Sequence, residues 1–312
     1  MKSRHRILVT PRSLTRAPHP AVQLLRDNGC DVILGPAGRQ PTEDELLELL
    51  PGCAGYLAGV EPVTARVLEA APGLIAISRN GIGVDSIDSE TAERAGVRIL
   101  TTPGANAEGV AELAIGLLLA LVRSIPLLDR VIKDGGWNRR IGMELDGAVL
   151  GVIGCGNVGK RVSELALGLG MTVLGHDPYP TAAFHPAGFS WVAQDELLER
   201  SVLITLHSPA TGKPTIDAPA IARMRAGTYL VNTARAGLVD SDALLEALDS
   251  GRIAGYAVDA YEQEPPTDRR IVEHSSVIAT PHIGGYTEES VARAATGAAQ
   301  NLLAALQEGN NG

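Results

Sequence analysis

Three glycines near the middle of the chain have the spacing of a dinucleotide-binding turn. Gly154, Gly156 and Gly159 follow an apolar run at residues 148–153 and precede a stretch of helical periodicity that extends to about residue 170. Such glycines allow a tight turn, let a pyrophosphate approach the backbone and let the helix pack closely on the strand. The helix N-terminus then faces the phosphate charge.

Asp177 lies 18 residues beyond the last of these glycines, after a second apolar run at residues 171–175. A carboxylate at this point suits a ribose 2′-hydroxyl and repels a 2′-phosphate, so the pattern favours NAD over NADP. The alternative is a glycine-rich turn in an unrelated α/β sheet, with Asp177 at a solvated strand end.

Polar side chains follow the predicted strands of the C-terminal half. Ligands of a doubly wound sheet bind beyond the carboxyl ends of its strands, so we expect these side chains to share a site. They are His207 and Pro209 after residues 202–206, Thr233 and Arg235 after residues 228–232, Asp259 and Glu264 after residues 254–258, and His282 after residues 277–280.

Three of these residues form a chemically complete set beside a nicotinamide. Arg235 can hold a substrate carboxylate and polarise the adjacent carbonyl. His282 can pass a proton to or from the substrate oxygen, and Glu264 beside it would stabilise the protonated imidazole. Taken singly, they could be a salt-bridge arginine, a turn residue and a structural histidine, but their common position favours catalysis.

The elements that must position these residues alternate between strand and helix. Five strands and four helices are predicted in the first hundred residues, which implies a parallel sheet covered on both faces. A helix at residues 107–123 is apolar nearly all round, which indicates burial between domains or in a subunit interface. The alternation resumes at residue 148, and a final helix is predicted at residues 288–306.

Composition excludes several classes of protein. The 312 residues suit two domains, and 45% hydrophobic and 20% charged residues are typical of a soluble globular chain. A net charge of −9 argues against nucleic acid or an anionic membrane as the main partner. Three cysteines without CxxC spacing predict reduced thiols and no metal site, and the N-terminus lacks a signal-peptide core, so a cytoplasmic location is expected.

Seven segments in order resemble the D-2-hydroxyacid dehydrogenase family over nearly the whole chain. The segments are NGIGVDSID (80–88), TPGANAEGVAEL (102–113), GVIGCGNVG (151–159), HSPAT (207–211), VNTARAGLVD (231–240), DAYEQEP (259–265) and TPHIGGYT (280–287). The resemblance implies that His282 is the acid/base, Glu264 its partner and Arg235 the substrate anchor. It also implies that the backbone of Asn80 and Gly81 contacts the substrate carboxylate.

The resemblance further implies NAD as the cofactor and an α/β fold of two domains. A flavodoxin-like substrate domain would comprise residues 1–102 and 283–312, a Rossmann-type NAD-binding domain residues 103–282, and the active site the cleft between them. Family members are usually dimers joined through the cofactor domains. The expected cofactor-binding residues are Gly154, Gly156, Asn157, Val158, Gly159, Asp177, His207, Pro209, Thr233, Asp259 (at the nicotinamide carboxamide) and Gly284.

Within the family, residues 102–126 look most like the phosphoglycerate dehydrogenases, in a form without a C-terminal regulatory domain. One segment departs from them. Where those enzymes commonly carry arginines for the substrate phosphate, this chain has Val60 and Glu61, and a glutamate there would disfavour a dianionic phosphate. We hypothesise that Arg12 replaces the missing charge for a phosphate or phosphonate, with Arg79 or with Arg139 or Arg140 of a partner subunit; alternatively, Arg12 is a solvated loop residue.

The sequence therefore predicts an NAD-dependent oxidoreductase that interconverts a small 2-oxo acid and its D-2-hydroxy acid. Hydroxypyruvate, glyoxylate, phosphohydroxypyruvate and a phosphono-substituted pyruvate are all admissible substrates. A rival interpretation is a non-catalytic NAD-sensing protein of the corepressor kind. A formate-oxidising relative is a third, and Glu264 counts against it because that branch resembles a glutamine at this position.

Overall fold

The structure is a computed structural model that describes residues 5–308. It divides into two compact units. Unit 1 runs to Asn106 and resumes at Glu288, and unit 2 is Ala107–Thr287. These boundaries lie four and five residues further along the chain than residues 102 and 283, where the sequence analysis places them.

The described residues form twelve strands and twelve α-helices. The strands are β1 (Arg6–Val9), β2 (Asp31–Leu34), β3 (Gly55–Ala58), β4 (Ala76–Arg79), β5 (Arg98–Leu100), β6 (Val149–Ile153), β7 (Thr172–His176), β8 (Phe189–Trp191), β9 (Leu203–Leu206), β10 (Thr228–Asn232), β11 (Ile253–Val258) and β12 (Val277–Ala279). The helices are α1 (Arg12–Thr15), α2 (Pro20–Asp27), α3 (Glu43–Leu49), α4 (Ala65–Glu69), α5 (Ser89–Arg94), α6 (Ala107–Val122), α7 (Ile125–Lys133), α8 (Asn157–Gly168), α9 (Gln194–Arg200), α10 (Ala218–Arg223), α11 (Ser241–Asp249) and α12 (Glu288–Glu308).

Unit 1 is built on a parallel sheet with the strand order β2-β1-β3-β4-β5. This is the flavodoxin-like doubly wound order that the resemblance implies. Leu8, Tyr56 and Ile77 lie in the core on one face of the sheet. The other face is covered in part by α12, which contributes small residues such as Ala295 and Ala298 together with Leu302.

Local sequence signals account for the helices of unit 1. Thr42 begins α3 with a capping box, in which its hydroxyl accepts from the Glu45 amide and the Glu45 carboxylate accepts from the Thr42 amide. Thr64 caps α4 and Asp88 caps α5. In each case a side-chain oxygen of the capping residue accepts from the backbone amide three residues further on. These caps fix the residue at which each helix begins.

Unit 2 contains a seven-stranded parallel sheet with the order β12-β11-β10-β9-β6-β7-β8. Counted from β6, this is the Rossmann order extended by one strand, and the order reverses between β6 and β9. The carboxyl ends of β6, β7 and β9 therefore lie side by side at the switch point where doubly wound sheets bind ligands.

Helix α6 is buried inside unit 2. It packs against α8 and against β10 and β11, and Ala114, Leu118 and Val122 are almost fully buried there. The core of unit 2 thus accounts for most of its apolar circumference, whereas Leu119 remains 38% exposed, and the predicted burial between domains or in a subunit interface stays a prediction.

Three elements of unit 2 were not predicted from the sequence. They are α7, the edge strand β8 and α9. Helix α7 has no buried residue and leaves Ile125 and Ile132 more than half exposed. Strand β8 carries Phe189 and Trp191, whose rings meet edge to face at 5.0 Å.

Among the described residues, no single helix is long and apolar enough to cross a membrane, and α6 with α7 passes that test only as a pair bent by 61°. No group of three or more potential metal-ligating side chains occurs in residues 5–308. Cys30, Cys53 and Cys155 are free thiols.

Gly151 provides a test of the packing of unit 2. A Cβ at this position would lie 2.3 Å from Leu197 Cδ2 and 2.6 Å from Ser201 Oγ of the segment packed on β6. We expect Gly151→Ala to lower the free energy of unfolding by about 1–3 kcal/mol, because overpacking displaces buried side chains. Urea denaturation of the purified protein measures this change.

Gly116, in the middle of α6, is the matched control because a Cβ there meets nothing within 4 Å. Gly116→Ala should raise the free energy of unfolding by about 0.5–1 kcal/mol, since alanine restricts the unfolded chain and favours the helix. Equal effects of the two substitutions would contradict the packing described for β6.

Candidate active site

The glycine turn after β6 has the close contacts that its sequence predicts. Gly154 has φ +89° and a Cβ there would lie 2.5 Å from the Ser208 amide nitrogen, so the turn lies directly against the chain that leaves β9. A Cβ on Gly159 would lie 2.0 Å from the Gly154 carbonyl oxygen. Both positions therefore require glycine, one for the turn and one for the packing of α8 on β6.

Gly156 has the opposite environment. It is the N-cap of α8, and a Cβ there would meet nothing within 4 Å. Glycine offers no capping side chain, so the first amides of the helix, at Asn157 and Val158, face an open approach. An uncapped helix N-terminus beside open space fits a pyrophosphate, whose charge the helix dipole and amides stabilise.

Asp177 follows β7 and is anchored by two backbone amides. Its Oδ2 accepts from the Cys155 amide inside the glycine turn and its Oδ1 from the Tyr179 amide, each at 2.9 Å. The carboxylate is thereby fixed at the end of β7, next to the turn, where a ribose would extend from a bound pyrophosphate.

The Cys155 side chain fills space inside the glycine turn. It is buried, and burial together with the Asp177 charge raises the pKa of its thiol to about 12. Since the thiolate is the reactive form, this environment disfavours reaction at the thiol.

His207 lies at the end of β9 with Pro209 exposed just beyond it. Its Nε2 is 2.9 Å from Thr205 Oγ1 and its Nδ1 is 3.5 Å from Thr233 Oγ1. Burial lowers the pKa of this imidazole to about 3, so the ring is neutral at physiological pH. It links β9 to the turn after β10 and does not serve as a charged acid.

Glu264 and His282 form the contact that the catalytic interpretation requires. His282 Nδ1 lies 2.7 Å from Glu264 Oε1, and the two side chains are 52% and 42% exposed. Because Glu264 engages Nδ1, Nε2 is the nitrogen able to exchange a proton with a substrate. His282 has φ +54°, a left-handed conformation that costs a non-glycine residue about 1–3 kcal/mol.

Asp259 holds the loop that carries His282. Its buried carboxylate accepts from the amides of Ile283 and Gly284, each at 2.8 Å, and from Thr280 Oγ1 at 2.6 Å. These donors flank His282 on both sides. Asp259 was predicted to contact the nicotinamide carboxamide. Its role in holding the loop was not predicted, because residues 259 and 284 are far apart in the sequence and no local pattern relates them.

Asn232, which the sequence analysis used only to end a strand, fixes the turn that carries Arg235. The fully buried amide donates from Nδ2 to the Arg235 carbonyl at 2.8 Å and accepts on Oδ1 from the Ala234 amide at 3.0 Å. The Arg235 guanidinium, half-buried, donates to the Ala234 carbonyl at 2.9 Å. The sequence did offer a signal for this role, because an asparagine ends the predicted strand directly before the turn that contains Thr233 and Arg235.

The substrate residues predicted in unit 1 lie at the carboxyl ends of its strands β1 and β4. Arg79 is only 8% exposed, and it donates to the Asn80 carbonyl at 2.9 Å. The Gly81 carbonyl accepts from the Thr102 amide at 3.0 Å. Arg12 is exposed on α1, just after β1. The Asn80 amide donates to the Ala58 carbonyl at 2.9 Å and the Gly81 amide to the Arg79 carbonyl at 2.8 Å, so the two backbone N–H groups predicted to contact the substrate carboxylate are engaged within unit 1.

Comparison with known proteins agrees with this geometry. Residues 115–284 match the family model described as D-isomer specific 2-hydroxyacid dehydrogenase, NAD binding domain. The chain is 40% identical over 259 residues to the hydroxypyruvate reductase of Thermotoga maritima, covering 80% of this chain and 84% of that protein. It is 40% identical over 274 residues to the D-3-phosphoglycerate dehydrogenase of Methanocaldococcus jannaschii, covering 85% of this chain.

The chain spans only 52% of that phosphoglycerate dehydrogenase, about half of its length. Among solved structures, the NAD⁺-bound 3-phosphoglycerate dehydrogenase of Entamoeba histolytica has a TM-score of 0.82 and 28% identity, covering 98% of this chain and 97% of that one. The sheet orders, the glycine turn and the Glu264–His282 contact agree with these similarities. The chain therefore belongs to the NAD-dependent D-isomer specific 2-hydroxyacid dehydrogenases.

Proposed function

We propose that this chain reduces a small 2-oxo acid to its D-2-hydroxy acid and catalyses the reverse reaction. The observation that carries the proposal is the 2.7 Å contact between Glu264 and His282 at the carboxyl edge of the sheet that also carries the dinucleotide turn. NAD, when bound, supplies the hydride chemistry. All other steps fall to side chains and backbone groups of the chain.

The cofactor-binding residues fit NAD on two observations. The open N-terminus of α8 at Gly156 would hold the pyrophosphate, and Asp177 would accept from the ribose hydroxyls. A 2′-phosphate at Asp177 would meet a fixed carboxylate, so NADP is disfavoured. The proposed set also includes Asn157, Val158, Pro209, Thr233 and Gly284, which lie at the strand ends and loops around this turn.

Acid/base chemistry belongs to His282. In the reducing direction, protonated His282 would donate from Nε2 to the carbonyl oxygen of the substrate, and in the oxidising direction it would accept the hydroxyl proton. Glu264 orients the ring through Nδ1, which leaves Nε2 for the substrate. The Asp259 contacts to residues 280–284 keep the imidazole in position while its charge changes.

Substrate binding in unit 2 belongs to Arg235. Its guanidinium would pair with the substrate carboxylate. Hydroxypyruvate, glyoxylate, phosphohydroxypyruvate and a phosphono-substituted pyruvate remain candidates. The similarities to a hydroxypyruvate reductase and to phosphoglycerate dehydrogenases support the first and third of them.

We also propose a homodimer and a cytoplasmic location. Large apolar side chains are exposed along residues 125–141 of unit 2, and a second copy of this face would cover them. They are Ile125 (52% exposed), Ile132 (53%), Trp137 (78%) and the fully exposed Ile141. Free thiols at all three cysteines support a reducing compartment.

Initial rates of NADH oxidation with the four candidate acids and pyruvate test the proposed reaction. At least one acid should turn over with a kcat/KM of about 10⁴ M⁻¹s⁻¹ or above. His282→Ala should lower kcat by about 10²–10⁴-fold, because the proton donor is lost, while the Kd for NADH changes little. If no acid reacts while NADH still binds, the NAD-sensing alternative is favoured.

Asp259→Asn tests the loop-holding role separately from the chemistry. The amide group replaces one acceptor oxygen with a donor, so at least one of the Ile283 and Gly284 amides loses its partner and the histidine loop loosens. We expect kcat to fall by about 10-fold or more with a smaller change in the KM of the acid. Asp242→Asn is the matched control, because that side chain is 78% exposed; equal kcat values for the two variants would refute the role.

Light scattering during gel filtration tests the dimer. Wild-type protein should elute at twice the chain mass of 32.6 kDa. Ile132→Glu should give monomers, because a buried unpaired carboxylate is costly at an apolar interface. Leu34→Glu places the same charge on an exposed apolar residue of unit 1 and should remain dimeric; a wild-type monomer would end the proposal.

A further inference from the structure

A buried threonine hydroxyl lies against the imidazole of His207. Thr205 belongs to β9 and His207 directly follows this strand, so the two side chains project from the same face of the sheet. Thr205 is fully buried, and its Oγ1 lies 2.9 Å from His207 Nε2. Its neighbours in the register of the sheet are Val152 on β6 and Val231 on β10, whose side chains offer no hydrogen-bonding atom.

The direction of the hydrogen bond between Thr205 and His207 follows from which groups lack another partner. Among residues 5–308, Thr205 Oγ1 has no hydrogen bond other than the one to His207. If Nε2 carried the proton, the imidazole would donate and the hydrogen of the buried hydroxyl would have no acceptor. If Nε2 is unprotonated, the hydroxyl donates to it and both groups are satisfied. Because an unsatisfied buried donor is costly, the second arrangement is favoured by about 10-fold or more.

A neutral ring then carries its proton on the other nitrogen. Burial lowers the pKa of His207 to about 3, so the imidazole has a single proton at physiological pH. With Nε2 unprotonated, that proton lies on Nδ1. A neutral histidine free in water prefers the opposite form, with the proton on Nε2. Thr205 therefore reverses the solution preference of the ring.

Nδ1 of His207 faces the end of the neighbouring strand. It lies 3.5 Å from Thr233 Oγ1, at the outer limit of hydrogen bonding, and this hydroxyl has no other hydrogen-bond partner in the described part of the chain. With the proton on Nδ1, the ring donates toward the Thr233 oxygen, and the hydroxyl hydrogen of Thr233 is directed away from the ring. Two donors at the carboxyl ends of β9 and β10 thus lack a close acceptor among residues 5–308.

These two donors lie beside the dinucleotide turn. A Cβ on Gly154 would be 2.6 Å from the His207 carbonyl carbon and 2.5 Å from the Ser208 amide nitrogen. Strand β9 pairs with β6, whose end carries the turn. Part of the surface of His207 and of Thr233 remains exposed. A ligand that uses these donors must offer acceptor oxygens, and a dinucleotide has them on its phosphates and riboses.

We infer that Thr205 is a positioning residue for the dinucleotide: its hydroxyl holds His207 in the Nδ1–H form, so that the ring and the Thr233 hydroxyl both donate toward an acceptor oxygen of the bound dinucleotide. The inference rests on the proposed function, which assigns the dinucleotide to this edge of unit 2. Thr205 is fully buried and acts only through the direction of hydrogen bonds. Without its hydroxyl, the ring can accept from Thr233, and both donors are then withdrawn from the ligand.

The first measurement is the protonation of the His207 ring in wild-type protein without a ligand. In long-range ¹⁵N–¹H NMR spectra of protein labelled with ¹⁵N-histidine, protonated and unprotonated ring nitrogens differ widely in ¹⁵N chemical shift. The chain has seven histidines, and the His207 signals are those that disappear in His207→Gln. We expect the Nδ1–H form. Predominance of the Nε2–H form overturns the inference, and this result stands even if a variant of Thr205 does not fold.

The second measurement compares two substitutions of Thr205. Thr205→Val removes the hydroxyl but keeps the shape of the side chain. The Nε2–H share of His207 should rise, and the Kd for NADH should increase by about 10-fold, because two donors to the ligand are weakened. Thr205→Ser keeps the hydroxyl and should retain both the Nδ1–H form and the wild-type Kd.

Thr228→Val is the matched control. Thr228 is a buried threonine of β10 whose hydroxyl donates to the Arg225 carbonyl at 2.8 Å, at the opposite end of the strand from Thr233. This substitution also removes a buried hydrogen bond but should change neither the Kd for NADH nor the His207 ring. No increase in Kd for Thr205→Val, or an equal increase for Thr228→Val, refutes the inference. If wild-type protein does not bind NADH, the proposed function fails instead, whichever nitrogen of His207 is protonated.

Discussion

His282, the proposed acid/base, has an unfavourable backbone conformation, and one buried carboxylate holds the loop that carries it. A φ of +54° costs a non-glycine residue about 1–3 kcal/mol. Asp259 accepts three hydrogen bonds from residues 280, 283 and 284, on both sides of His282. Hydrogen bonds to a charged acceptor are the stronger kind, and here they act against both the backbone strain and the cost of burying the carboxylate. This clamp fixes the backbone from which the His282 ring reaches Glu264.

Three carboxylates use the same device at strand ends. Asp177 ties the end of β7 to the glycine turn, Asp259 ties the end of β11 to the histidine loop, and Glu61 ties the ends of β1 and β3 through Thr10 and the Gly59 amide. Each carboxylate accepts from at least one backbone amide that lies beyond the strands and has no partner in the sheet. The three differ in burial. Asp177 is half-buried and can meet a ribose, whereas Asp259 and Glu61 are each 1% exposed and serve the fold.

The sequence was sufficient for features that depend on local pattern. Short apolar runs predicted all five strands of the unit 1 sheet and, except for β8, the strands of the unit 2 sheet. Helix α7 was missed although Ile125, Leu128 and Ile132 have helical spacing, so its signal was present in the sequence and was overlooked. Strand β8 was missed because three residues at a sheet edge carry too little periodicity.

Contacts between residues far apart in the sequence were beyond such reasoning. In the sequence, Glu61 marks only the absence of the expected arginines. Its partner Thr10 lies 51 residues away and Tyr56 belongs to the core, so the burial of Glu61 had no local signature. Arg79 was predicted as a supplementary cation for the substrate, and in the structure it is 8% exposed and donates to the Asn80 carbonyl.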